Sequence, residues 1–271
     1  MSDGNRKPRD GEGNKNGDSP HFQMGLLDGQ AGVENGDSPL IRISARTRRL
    51  SIRVYPDARV ECVVPPRARP REIEEFIAAH REWIDSKRAV ALRNRPAPQP
   101  FPPVTIEWRA SAETWKVHLA GGDGRLRFVE SKGTDGRHVL QVRGQASTDK
   151  LRSGLRTWLM RAAHDRLAPR VAALAARAGV EFSRVSIRRQ RSRWGSCSTR
   201  GTISLNCCLL FQRPEVVDYL IVHELMHVKH MNHSARFWQA VERNCADWRA
   251  LDRELVQGWR HVPRWVFSEG S

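Results

Sequence analysis

No stretch of this 271-residue chain approaches the eighteen or so consecutive apolar residues that a membrane-spanning helix needs. The opening residues, Met1-Ser2-Asp3-Gly4-Asn5-Arg6-Lys7, lead into no apolar run either, which argues against a secretory signal and predicts a cytoplasmic protein. Cysteine is sparse. Five are present, at Cys62, Cys197, Cys207, Cys208 and Cys245, and no two form a C-x-x-C pair, which argues against a separate structural zinc site of the usual kind. Adjacent Cys207 and Cys208 suit a disulfide poorly, and reduced thiols are the expectation. With only two tyrosines, few phenols are available to an active site. Acidic residues are also short, 30 against 46 lysines and arginines, giving a net charge of +16. All but seven of the bases are arginine, spread over nearly the whole length. That even spread reads as a solvated surface, although so large a charge predicts weak, nonspecific, salt-sensitive binding to nucleic acid.

Texture divides the chain. Residues 1–40 are rich in Gly, Asn, Asp and Ser, repeat Asn-Gly-Asp-Ser-Pro at Asn16 and Asn35, and read as a disordered tail. Leu50, Ile52 and Val54, then Val60, Cys62 and Val64, alternate with polar residues across Pro56-Asp57, a β-hairpin signal. Apolar residues at three-to-four spacing predict one helix over 71–93. Beyond a proline-rich connector at 96–103, short strands are expected around 104–108, 114–119, 125–129 and 138–142. A long helix should run from an N-cap at Thr148 to Gly179, kinked or split by Pro169. A strand over 182–190 and a hairpin over Trp194–Asn206, turning at Ser198–Gly201, complete the expected β-structure.

The chemistry concentrates in His223-Glu224-Leu225-Met226-His227. Residues four apart on a helix lie about 40° apart on one face, so two imidazoles converge on one cation, and neutral nitrogen donors suit Zn²⁺. Glu224, beside the first histidine, can take a proton from water activated by the metal. The preceding run Val216–Val222 is almost wholly apolar, predicting a buried helix that begins at Pro214. Buried histidines need partners, and a metal satisfies several at once.

The third ligand is a choice between His233 and His230. Along a continuing helix His233 would sit about 240° round from His227, so it serves only if the helix ends between them, with Asn232 a plausible breaking residue. His230 returns to the face of His223 but about 10.5 Å further along the axis. This favours His233, leaving His230 solvated or behind the ligands.

Arg193-Trp194-Gly195-Ser196-Cys197-Ser198, Ile203–Asn206, Tyr219–His227, Asn232-His233-Ser234 and Phe237-Trp238, in that order and spacing, resemble the YgjP-like metallopeptidase family, a small zincin group similar in style to SprT-like proteases. The resemblance covers roughly residues 44–262. It implies zinc ligands at His223, His227 and His233 and a base at Glu224. It further implies an α+β zincin-like fold, with a backing helix, a small mixed sheet, the motif helix and a C-terminal helix, preceded by a β-rich region.

The expected organisation is therefore a tail (1–40), a β-rich region with one helix (41–146) and a zincin-like metallopeptidase domain (147–271). The expected activity is hydrolysis of a peptide or protein substrate by a zinc-activated water, with Glu224 as general base. Arg193, Trp194, Gly195 and Ser196 form the candidate strand edge for substrate, and Arg193 the candidate oxyanion donor. Tyr219 reads as core, and Asp247 and Asp252 as candidate carboxylates behind the ligands. Two other classes remain: a protease trimming DNA-bound proteins, and a non-catalytic zinc-binding domain, which would have no use for Glu224.

Overall fold

The computed structural model describes residues 39–268 apart from Pro96, Pro98 and Asp135; the expected tail lies almost wholly outside them. The fold is α+β. Strands β1 (Leu40–Ile43), β2 (Ser51–Val54) and β3 (Val60–Val64) form a sheet in the order β1-β3-β2. The hairpin β2–β3 is antiparallel as its alternation predicts, whereas β1 joins β3 in parallel.

The helix expected over 71–93 is two, α1 (Pro70–Ala79) and α2 (Arg81–Arg93). Its apolar spacing continues across the break, so periodicity alone could not reveal it. His80 breaks the path: its backbone leaves helical angles, and its Nδ1 lies 2.8 Å from the carbonyl of Phe76. A small core of Val54, Val60 and Ile84, flanked by Ile52, Ile77 and Ala91, binds the hairpin to these helices.

Strands β4 (Thr105–Trp108), β5 (Glu113–Gly121), β6 (Arg127–Lys132) and β7 (His138–Arg143) make a second sheet, ordered β4-β5-β7-β6. Its inner face packs on α3 (Thr148–Ala178) through Trp108, Trp115 and Trp158, each at most 2% exposed, with ring centroids 4.8–5.4 Å apart. Burying each large side chain is worth about 1.5–3 kcal/mol. Arg166 lies 4.4 Å over the Trp108 ring and holds Glu113 with two bonds of 2.8 and 2.7 Å, closing the rim. Ser147, one residue before the expected cap, accepts from the Lys150 amide; Gly179 closes the helix in the left-handed conformation. Pro169 does not split α3. The carbonyl it orphans, at Asp165, is on the exposed side, where water can satisfy it.

The third sheet, β8 (Arg184–Arg188), β9 (Gly195–Cys197) and β10 (Thr202–Asn206), has the order β8-β10-β9, so β9 is an edge. Three helices follow: α4 (Pro214–Lys229), α5 (Ala235–Asn244) and α6 (Trp248–Val256). The C-terminal helix that the family resemblance implies is thus divided in two, because Cys245 adopts extended angles between α5 and α6. One hydrophobic cluster runs from the four-stranded sheet through α3 to α4, α5 and α6. No helix among the described residues is long and apolar enough to cross a membrane.

Candidate metal centre

Helix α4 is held at its first turn from two sides. Arg170, on α3, donates to Asp218 Oδ1 at 2.5 Å and to the Pro214 carbonyl at 2.7 Å. Arg213, at its N-cap, grips Glu254 of α6 with bonds of 2.8 and 2.6 Å. Pro214 occupies the first turn, where a missing N–H costs nothing. The apolar residues Val216 to Val222 fix the rotation of the helix in the core, and with it the direction of His223, Glu224 and His227.

The chain turns back sooner than expected. Helix α4 ends at Lys229, and His230, with extended angles, is the C-cap, so the break precedes Asn232. His230 contributes its backbone: its carbonyl oxygen lies 3.1 Å from His227 Nδ1. An Nδ1–H donated there leaves the His227 Nε2 lone pair for a cation. His233 swings in from the turn, and its Nε2 stands 3.2 Å from His223 Nε2. One ring nitrogen from each of His223, His227 and His233 lies within 4.8 Å of the other two. Two nitrogens sharing one tetrahedral ion at about 2.0–2.1 Å stand roughly 3.3–3.4 Å apart, so the His223–His233 spacing fits a common cation.

Phe237, fully buried one turn into α5, floors the cluster, with ring centroids 4.9 Å from His223, 4.5 Å from His227 and 4.8 Å from His233. Trp238 stacks on His233 and in turn on Trp248, at 5.6 and 4.2 Å. Phe237 and Trp238, which enter the sequence reading only through the family resemblance, pack against the histidine rings.

Glu224 is 5% exposed, and burial pushes its carboxyl up to about 8 against the opposing pull of the Arg193 charge. The Arg193 guanidinium is itself lowered by burial, while Glu224 favours its charge. Gly195 sits directly against this carboxyl: a Cβ there would stand 2.6 Å from Glu224 Oε1. The glycine therefore serves close packing of β9 on α4. Asn206, fully buried, fixes the segment before β9 by donating to the carbonyls of Gln190 and Arg193 at 2.6 and 2.8 Å, while its Oδ1 accepts from the Cys208 amide at 3.1 Å. Trp194 stacks on Trp259 with ring centroids 4.1 Å apart.

These groups open onto a cleft of about 740 Å³ lined by Arg193, Trp194, Gly195 and Ser196 together with all three histidines and Glu224. Its other wall was missed: Val54, Tyr55 and Pro56 at the end of β2, Lys87, Val90 and Ala91 on α2, and Asn94 at the C-cap of α2. Nothing in their spacing marks them, because non-local packing alone brings them there. Tyr219 is core, 1% exposed, and donates to Asp252 Oδ1 at 2.7 Å. Asp252 thus supports a tyrosine, and the contact made by His227 Nδ1 is with a backbone carbonyl.

A buried HExxH helix, a third histidine from the following turn and a mixed sheet edge against the glutamate define a zincin-type metallopeptidase domain. The chain belongs to the YgjP-like family, whose metallopeptidase domain profile matches residues 48–257. No curated protein matches it. Among solved structures it is similar to the metallopeptidase zymogen abylysin of Pyrococcus abyssi, with 26% identity, 34% of this chain and 93% of that one covered, and a TM-score of 0.31. A second is the zymogen jannalysin of Methanocaldococcus jannaschii, with 22% identity, 34% and 94% coverage, and a TM-score of 0.30.

Proposed function

We propose that this metallopeptidase is a zinc enzyme that cleaves peptide or protein substrates, with His223, His227 and His233 as ligands and Glu224 as general base. The observation that carries the reading is a buried glutamate side chain lining one cleft with three converging imidazole nitrogens. Three neutral nitrogens suit zinc. When bound, the ion supplies a Lewis acid that lowers the pKa of water and polarises the scissile carbonyl.

The protein's own groups do the rest. Glu224 takes the proton of the attacking water on its carboxylate and returns it to the departing amine. The Arg193 charge favours the carboxylate form from which Glu224 starts. Arg193 also supplies the donor for charge developing on the carbonyl oxygen. The outer side of β9 accepts an extended peptide through main-chain hydrogen bonds, with Arg193 to Ser196 as the docking segment.

A purely structural zinc has no use for a buried base beside its ligands, which favours catalysis. The +16 charge supports weak, nonspecific contact with nucleic acid as a secondary property, and with it the narrower alternative of cleaving DNA-bound proteins. The deciding experiment compares native protein with Glu224→Gln on a peptide library at matched zinc content. The proposal expects the variant to keep zinc and lose about 10²–10⁴-fold in rate. Equal turnover would remove Glu224 from the mechanism.

A further inference from the structure

Asp252 stands out among the carboxylates of this arginine-rich chain. Glu113, Asp218, Glu254 and Glu242 each pair with an arginine, at 2.7, 2.5, 2.6 and 2.8 Å. Asp252 lines the cleft and is held by a tyrosine instead. The Tyr219 hydroxyl occupies Oδ1, which leaves Oδ2 for a ligand. Tyr219 lies one turn before His223, with ring centroids 6.0 Å apart, so the carboxylate is anchored one helical turn from the histidine cluster. Around it the cleft is apolar, lined by Leu220 and Leu255, both 5% exposed, together with Val256 and Trp259.

We infer that this part of the cleft is a subsite for a lysine or arginine side chain of the peptide substrate, with Asp252 as its anionic end. The inference deepens the peptidase reading and rests on it. Apolar walls ending in a fixed carboxylate match a long aliphatic stem ending in a cation. The chain's net +16 opposes cationic ligands at long range, but salt screens charges beyond roughly 8 Å at physiological ionic strength, and direct contact with Asp252 survives that screening. Of the cations lining the cleft, Lys87 comes from α2, and Arg193 is coupled to Glu224.

The test measures binding, so that it does not depend on turnover. Zinc-loaded Glu224→Gln protein is titrated with labelled, acetylated Ala/Gly hexapeptides carrying Lys, norleucine or Glu at each position in turn. At one position Lys should bind about tenfold or more tightly than norleucine, the scale of one charge-assisted contact. Adding Asp252→Asn, which keeps an acceptor for Tyr219, should erase that ratio, and Asp252→Lys should transfer the preference to Glu. Tyr219→Phe should keep the preference for Lys, since it removes only the anchor. A Lys/norleucine ratio that is flat at every position, or unchanged in Asp252→Asn, overturns the subsite. A ratio that behaves as expected in a protein that cleaves no peptide upholds the subsite and removes the peptidase reading instead.

Discussion

Gly195 and Glu224 touch across the interface of β9 and α4, leaving no room for even a methyl group between them: its carbon would lie 2.6 Å from Oε1 and 2.8 Å from Cγ. The absence of a side chain on one residue thus sets the position of the carboxyl on the other. Gly195→Ala is expected to keep zinc and fold while displacing Glu224, and a shift of about 1 Å at a reacting group costs on the order of 10²-fold. Metal analysis and kcat/KM on one peptide check this together; full activity in a zinc-loaded variant would show that Glu224 tolerates displacement.

His233 and His230 separate cleanly. His233→Ala removes one of three converging nitrogens and should leave the protein largely zinc-free after dialysis against a weak chelator. His230→Ala keeps the carbonyl that meets His227 Nδ1 and should retain one zinc per chain. The reverse pattern would reassign the third ligand.

The raised carboxyl of Glu224 has a cost with a definite sign. Its ordinary value of 4.5 describes the unfolded chain and about 8 the metal-free fold, so the folded state holds the proton more tightly. Stability from this group is full below about pH 4.5, falls as pH rises towards 8, and is level above. Metal-free Glu224→Gln should therefore gain in Tm relative to metal-free native protein as pH is raised from 5 to 8. Parallel Tm curves for the two would refute the raised value.

Asn206 clamps three backbone groups with one buried side chain. Asn206→Ala strands them, and buried polar groups left unsatisfied cost about 1–3 kcal/mol each, so a loss of roughly 2–4 kcal/mol in denaturant unfolding is expected. Hydrogen exchange should rise first at residues 190–194. A loss below about 0.5 kcal/mol would mean that water replaces the amide without penalty.

Binding to duplex DNA should be weak, indifferent to sequence, and lost steeply between about 50 and 200 mM salt. Electrophoretic or anisotropy titrations at the two salt concentrations decide it. Affinity that survives the higher salt would point to a dedicated basic surface.

Much of this is legible in the sequence, and the reasons are local. The HExxH spacing fixes two imidazoles and a carboxylate on one helix, and Pro214 and Gly179 mark helix ends by backbone chemistry that no tertiary context alters. The choice of His233 followed from helix geometry with the family resemblance. What escaped was set by packing between distant segments. The break at His80 rests on one ring nitrogen near one carbonyl. The wall of Tyr55 and α2 residues rests on a small separate core. Pro169 defeated its local rule because the carbonyl it strands is on the wet side of α3.

The two halves of the centre are recruited on different length scales. The histidine nitrogens and their Phe237 floor come from one stretch, residues 223–237, whereas Gly195 arrives from a three-residue edge strand in a separate sheet. Partial opening that lifts β9 away would leave the histidine cluster intact while freeing Glu224 to swing. Under mild denaturant the protein should therefore fall silent while still holding its ion, an inactive, metal-loaded population that refolds to activity on dilution without any supply of zinc.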